Sequence, residues 1–343
     1  DGFAAGRVAF VPLHMRRVYD RVATCEPFDL VLVQAGLDAE GCLRHGPNVD
    51  FVEAALGNAR QVVVAVNRAL TPPAGAPPLD LDAVDWRVDV EAALPTVRRA
   101  EPDATARAIG ANVASLVADG ACIQTGIGAI PAAVLGALGE KNDLGLHSGL
   151  IDDAALELIE RGVINGAAKR IDRGVHVTGM AVGTQALHEA LAKRDDVVLR
   201  PARYTHENTV IAELDRFVSV NSAVEVDLMG QVAAEMVAGR QISGTGGAVD
   251  FMRGAATSPG GRSIVAMTAT AREGAVSRVV PALEAGTAVT APRTDVDCVV
   301  TEYGVAELRN RSVDARAESL IEVAAPQFRD ELRNAWRERR ASM

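Results

Sequence analysis

Short aliphatic runs alternate with helical patterns along almost the whole chain. "DLVLVQAG" and "QVVVAVN" have the β-rich composition of buried strands bounded by Gly, Asp or Asn. The early stretch "GRVAFVPL" is strand-like as well. "TPPAGAPPLDLDAVD" is a proline-rich loop, and "ARAIGANVASLVADGA" predicts a helix. In that helix Ile109, Val113, Leu116 and Val117 share a stripe, and Gly120 follows the end. "ACIQTGIGAIPAAVLGAL" predicts strand, glycine turn and helix, with Pro131 in the first turn, where a missing N–H costs little.

"DLGLHSGLIDDAALELIERGVI" repeats that layout: a buried lead-in, a polar turn at His147-Ser148-Gly149, then a periodic helix. Strand-like runs return in "VHVTGMAVG", "FVSVNSAVEVDLMGQV", "RSIVAMTAT" and "VDCVVTEYG". Near the end, Phe328, Leu332 and Trp336 at i, i+4, i+8 form one apolar helical face. Such alternation predicts α/β layers with mainly parallel sheets. The length of 343 residues suits two domains, with a boundary expected after "PAAVLGALGEKN": residues 1–142 and 143–343.

Composition sharpens this picture. The hydrophobic content of 48% supports real cores, with aliphatic residues filling them, since aromatics are only 3%. A formal charge of −10 argues against a nucleic-acid or anionic-membrane binder, because both require a basic surface. No apolar run reaches membrane-spanning length and no signal peptide is visible, so a cytoplasmic location is expected. Cys25, Cys42, Cys122 and Cys298 are scattered, without a CxxC pair, and read as free thiols in a reducing compartment. The chain starts at Asp1, without a methionine, and reads as a piece whose beginning lies outside it.

Two glycine-rich loops are candidates for chemistry. "TGIGAIP" places Gly126 and Gly128 between a strand and a helix start, where backbone N–H groups and a helix dipole can face an anion. "SGTGGAVDF" places Gly244, Gly246 and Gly247 in four positions, bare enough for a ligand to touch backbone and for an oxyanion hole. Either loop also reads as a tight turn or bulge. Glu225 lies in a valine-alternating run and Glu302 at a strand end before a helix; each also reads as a hydrogen-bonded strand or capping acid. His206, in "RYTHENTVI", and His147 lie in polar turns, where most histidines are merely exposed. No HExxH or comparable spacing groups metal ligands, so no metal is expected.

"SLVADGACIQTGIGAIPAAVLGAL", "NSAVEVDLMGQVAAE", "GTGGAVDFMRGA", "SRVVPALEAGTAVTAPRTDVDCVVTEYGVAELR" and "RAESLIEVAAPQFRDEL" resemble, in order, signature blocks of the acetyl-CoA hydrolase/transferase family. That family includes the 4-hydroxybutyrate, succinyl and butyryl CoA-transferases. The N-terminal part matches more loosely, and the family's opening segment has no counterpart here. The resemblance implies two open α/β domains of CoA-transferase type with the site between them. It implies coenzyme A as acyl-CoA substrate, a small carboxylate as partner, and a homo-oligomer such as a dimer.

In family transferases a glutamate attacks the acyl-CoA, and CoA is then carried as an enzyme thioester. The family pattern is roughly L-G-I-H-[ST]-E-M-x-x-D-G. Here Leu144, Gly145, Leu146, His147 and Ser148 lead to Gly149 where the nucleophile stands. Where the family shows Y-x-N-[DH]-P, this chain has Tyr204, Thr205, His206, Glu207 and Asn208, so His206 takes the asparagine's place. A Ser-Pro-rich family segment reads Ala35, Gly36, Leu37, Asp38.

Three readings follow. In the first, the volume vacated at Gly149 holds water or a small acceptor, His206 is general base, and the Gly246-Gly247 N–H groups stabilise the oxyanion. In the second, transfer persists with Glu225, Glu302, Asp152 or Asp153 as nucleophile. In the third, the chain binds acyl-CoA without turnover, or is an inactive subunit. Arg253, Arg262, Arg278 and Arg293 suit phosphate or carboxylate recognition, but read first as surface or interdomain ion pairs.

Overall fold

The structure, a computed structural model, describes residues 5–99 and 101–343. A six-stranded sheet forms its centre. From one edge it runs Gly304–Glu307, Cys298–Thr301, Arg262–Ala266, Phe217–Asn221, Cys122–Thr125, Gly145–Leu146. All neighbours are parallel except the edge hairpin of Cys298–Thr301 with Gly304–Glu307. Strands Cys122–Thr125 and Cys298–Thr301 are buried at every position, as expected for a sheet covered on both faces.

A second, four-stranded sheet is built from Leu43–His45, Val31–Leu37, Val62–Asn67 and Trp86–Val90, in that order. The predicted runs "DLVLVQAG" and "QVVVAVN" are its two central strands, paired in parallel. Its buried positions, Ala35, Val62, Val64 and Val66, form a core of their own with Leu43 and Leu79.

The helices follow the predicted stripes in part: helix Ala104–Ala114 carries Ile109 and Val113, but it ends before Leu116 and Val117, which lie just beyond it. Ile109 and Val113 of Ala104–Ala114 are fully buried, and the Asp103 carboxylate caps this helix by accepting from Ala106 N–H at 2.7 Å. Leu332 and Trp336 of Arg329–Ala341 are buried as expected, while Phe328 sits in the preceding 3-10 turn, Pro326–Phe328, and packs alongside. Among the described residues no helix is long and apolar enough to cross a membrane.

Two expectations need correction. The division at residues 142/143 cuts through the central sheet, because Cys122–Thr125 on one side pairs with both Phe217–Asn221 and Gly145–Leu146 on the other. A composition shift marks a loop but does not reveal which sheet a strand joins. The stretch "GRVAFVPL" forms no strand: Val8 and Val11 are exposed, and no partner strand among the described residues supplies a ladder.

Candidate active site

At the carboxyl ends of the parallel strands Cys122–Thr125 and Phe217–Asn221 lies a cavity of about 240 Å³, where open α/β sheets usually hold their ligands. Gly126, Gly149, His206, Gly246 and Gly247 line it together with Met15, Gln124, Asn221 and Phe251. Five sequence candidates from four separate segments therefore meet at one point. Gln124 and Asn221, on adjacent strands, pair through their side-chain amides at 3.0 and 3.3 Å.

The second glycine loop opens a helix. Gly247 is the N-cap of Ala248–Thr257, and the first N–H groups of that helix have no intrahelical partner by construction. Gly246 adopts φ +71°, a left-handed conformation that a side chain would strain. The loop is held from both sides. Glu235, buried, accepts from Gln241 Nε2 at 2.9 Å and Thr245 Oγ1 at 3.3 Å through one oxygen, and from Thr290 Oγ1 at 3.1 Å through the other. Met15 N–H donates to Gly246 C=O at 3.2 Å.

His206 ends the short helix Ala202–Thr205 and is only 3% exposed. Its ring packs on Phe251, centroids 4.5 Å apart, and its Nδ1 lies 2.9 Å from Thr205 Oγ1. The same ring reaches Gly149: an ideal Cβ built there would lie 2.9 Å from His206 Cε1 and 3.0 Å from Nε2. At Gly247 the corresponding point is 2.5 Å from Nε2. The expectation of an empty hollow over Gly149 is thus overturned. The imidazole occupies the space where a side chain at 149 would begin, and water or an acceptor would have to meet it from the cavity side. Burial, and then the neighbouring His147, push His206 down to about 3 from the ordinary imidazole value, so the ring is neutral at pH 7.

His147 is fully buried behind this ring and does not line the cavity. Its Nε2 donates to Thr205 C=O at 3.0 Å, and burial followed by the nearby Lys169 lowers it to about 4.

The remaining candidates lie apart. Gly128, φ +115°, caps helix Ala129–Ala137 and borders a neighbouring cavity of about 150 Å³ with Arg98, Arg99, Asp152 and Asp153. Gly244 is exposed in the loop and lines none of the described cavities. Glu225 borders a different cavity, about 460 Å³, with Arg272, Arg278 and Glu284. Burial, and then Glu284, raise its carboxyl above the usual range. Glu302 Oε2 accepts from Ala269 N–H at 2.9 Å, tying the edge hairpin to the loop after Arg262–Ala266. Asp152 caps helix Asp153–Glu160 through Ala155 N–H at 2.9 Å, and Asp153 accepts from Thr184 N–H at 3.0 Å. No proposed replacement carboxylate lines the cavity beside Gly149. Arg253 and Arg262 form the expected ion pairs, with Asp295 and Glu307. Buried Cys122 and Cys298 are both pushed up to about 12, foremost by burial, which leaves them as unreactive thiols.

The sequence reading missed the Gln124–Asn221 amide pair and Thr205, although all three adjoin motifs it singled out. It also missed Asp50. That carboxylate is 1% exposed, neither oxygen has a hydrogen-bond partner among the described residues, and burial raises it to about 7. It presses on Gly179, whose N–H donates to Gly149 C=O at 3.2 Å. Only the three-dimensional return of residues 47–50 to the 179–180 bridge brings it there.

Comparison with known proteins agrees with this architecture. Residues 183–336 match the model of the acetyl-CoA hydrolase/transferase C-terminal domain. A 4-hydroxybutyrate coenzyme A transferase of Clostridium kluyveri is 40% identical over 99% of this chain and 80% of its own. RipA from Yersinia pestis superposes with a TM-score of 0.92 at 34% identity, over 99% of this chain and 78% of its own. A 4-hydroxybutyrate CoA-transferase from Porphyromonas gingivalis does so with a TM-score of 0.86, also at 34% identity, over 98% and 82%.

Proposed function

The chain belongs to the acetyl-CoA hydrolase/transferase family, and from that premise we propose that it cleaves an acyl-CoA thioester by direct attack of water, with His206 as base. One observation carries this reading: His206 is the only titratable side chain among the described residues lining the cavity, and it abuts Gly149, which by the resemblance stands at the nucleophile's position. A glycine forms no covalent intermediate, and the alternative carboxylates face elsewhere or are engaged by backbone. The described lining is uncharged at neutral pH, which suits a neutral attacking molecule better than a carboxylate stripped of its water.

In the first step Nε2 takes a proton from water while the water oxygen bonds to the thioester carbonyl carbon. The carbonyl electron pair moves to oxygen, and N–H groups at the Gly246-Gly247 turn receive the oxyanion. Collapse re-forms the carbonyl and breaks the C–S bond; the proton on Nε2 passes to sulfur, releasing the free acid and CoA thiol. Burial makes the imidazolium costly in the empty site. The oxyanion forming beside it offsets that cost, so protonation and addition are coupled.

The test is free-thiol release from a panel of acyl-CoAs. His206→Ala should lower turnover by about 10²–10⁴, the usual scale of general-base catalysis, while CoA binding measured by calorimetry persists. An unchanged rate would end the proposal. Binding without turnover for every acyl group would instead favour the silent binder, and a hydroxylamine-sensitive enzyme adduct would favour covalent transfer.

A further inference from the structure

Thr205 sits behind the base, fully buried, and its hydroxyl has one proton for two neighbours. Pro201 C=O, 3.5 Å away, only accepts; His206 Nδ1, 2.9 Å away, either donates or accepts. If the hydroxyl donates to Nδ1, the imidazole proton sits on Nε2, for which no acceptor is present among the described residues. If the hydroxyl donates back to Pro201 C=O, as threonines in helical turns do, Nδ1–H donates to Oγ1 and Nε2 keeps a bare lone pair toward the cavity. Because Nε2 borders the cavity, an N–H there would donate to cavity water; only the second arrangement leaves Nε2 free to take a proton, as the hydrolytic reading requires.

Thr205 itself is anchored. His147 Nε2 must be the donor in its bond to Thr205 C=O, since a carbonyl only accepts. His147 Nδ1 then remains a buried lone pair without a partner among the described residues. The Thr205 amide donates to Pro201 C=O at 3.1 Å and so fixes the hydroxyl's origin.

We propose that Thr205 is a positioning residue that holds His206 in the Nδ1–H tautomer, leaving Nε2 as proton acceptor. The inference rests on the hydrolytic reading above for the choice of tautomer and its catalytic consequence, but the tautomer is measurable without it. Protein labelled with ¹⁵N in the histidine rings should show a pyrrole-type Nδ1 and a pyridine-type Nε2 for the signal that disappears in His206→Asn. The reverse pattern would overturn the proposal whatever the activity. Thr205→Val should shift the tautomer ratio and lower kcat by about tenfold, the weight of one hydrogen bond, with KM kept. Thr205→Ser should restore both. An unchanged tautomer and kcat in Thr205→Val would overturn it. If instead the tautomer is as stated but His206→Ala hydrolyses normally, the functional reading fails and the tautomer stands.

Discussion

Replacing Gly149 with alanine places a methyl carbon 2.9 Å from His206 Cε1, 3.0 Å from Nε2 and 3.6 Å from Phe251 Cζ. Carbon pairs sit comfortably at about 3.5–4.0 Å, so the ring must retreat by roughly 0.5–1 Å. Its room is small, because it already packs on Phe251 and against the backbone of Gly247. Overpacking of this kind costs about 1–3 kcal/mol. Urea unfolding of Gly149→Ala, His206→Ala and the double variant forms a thermodynamic cycle. The methyl should be costly beside the imidazole and harmless or favourable in the hole left by His206→Ala, giving a coupling of about 1–3 kcal/mol. Gly149→Ala alone should also lower kcat by up to about 10², since a displacement near 1 Å spoils a general base. Additivity within about 0.5 kcal/mol would refute the packing argument, for the two residues would then not compete for one space.

His206 and His147 are buried neutral, at about 3 and about 4, against 6.5 when unfolded, so between those values the unfolded chain binds more protons and stability falls as pH falls. The difference in unfolding free energy between the parent chain and His206→Asn should therefore rise from pH 4 to pH 6 with a slope approaching about 1.4 kcal/mol per unit; a flat difference would show that the ring is solvated. Asp50 has the opposite sign: raised to about 7 from 3.8, it contributes most below that window and its contribution declines as pH rises through it. Asp50→Asn should accordingly raise the urea midpoint at pH 8 relative to pH 5, and a lowered midpoint at both pH values would reveal a partner for the carboxylate. Glu225→Gln should leave thiol release unchanged, because its cavity is separate from that of Gly149; a loss above about tenfold would place it in the reaction.

The parallel sheets were legible because their strands are apolar at successive positions, as in "QVVVAVN" and "DCVV", and because glycine turns punctuate them. The sequence reading combined Gly149, His206 and the Gly246-Gly247 loop in one site through the family blocks, whereas Gly126 joins them only in the structure. Distances between segments were not legible. Glu225 and Glu302 sit in blocks as well matched as the glycine loops, yet one borders another cavity and the other accepts a backbone amide. The 142/143 division failed for the same reason: a strand's sequence records that it is buried but not which strand it lies beside. Asp50 was invisible because a lone acid in "GPNVDF" has the composition of an ordinary loop.

The empty hollow failed on a more specific point. Gly149 and His206 were read as a pair in their chemistry but not in their packing: the ring at 206 has an edge that needs somewhere to lie, and it lies over Gly149. Close packing leaves few voids larger than a water molecule, so a lost side chain and a gained one in contact are better read as one exchange. In this chain the exchange involves three positions. Gly149 and Gly247 are both free of Cβ where the imidazole approaches most closely, and a methyl at either would collide with it. Glycine at 149 is therefore a requirement of histidine at 206, and a glutamate restored at 149 alone would meet the ring before it met a thioester. On the hydrolytic reading proposed above, the reacting group lies on the loop beside position 149, and its ring sets the shape of the cavity there.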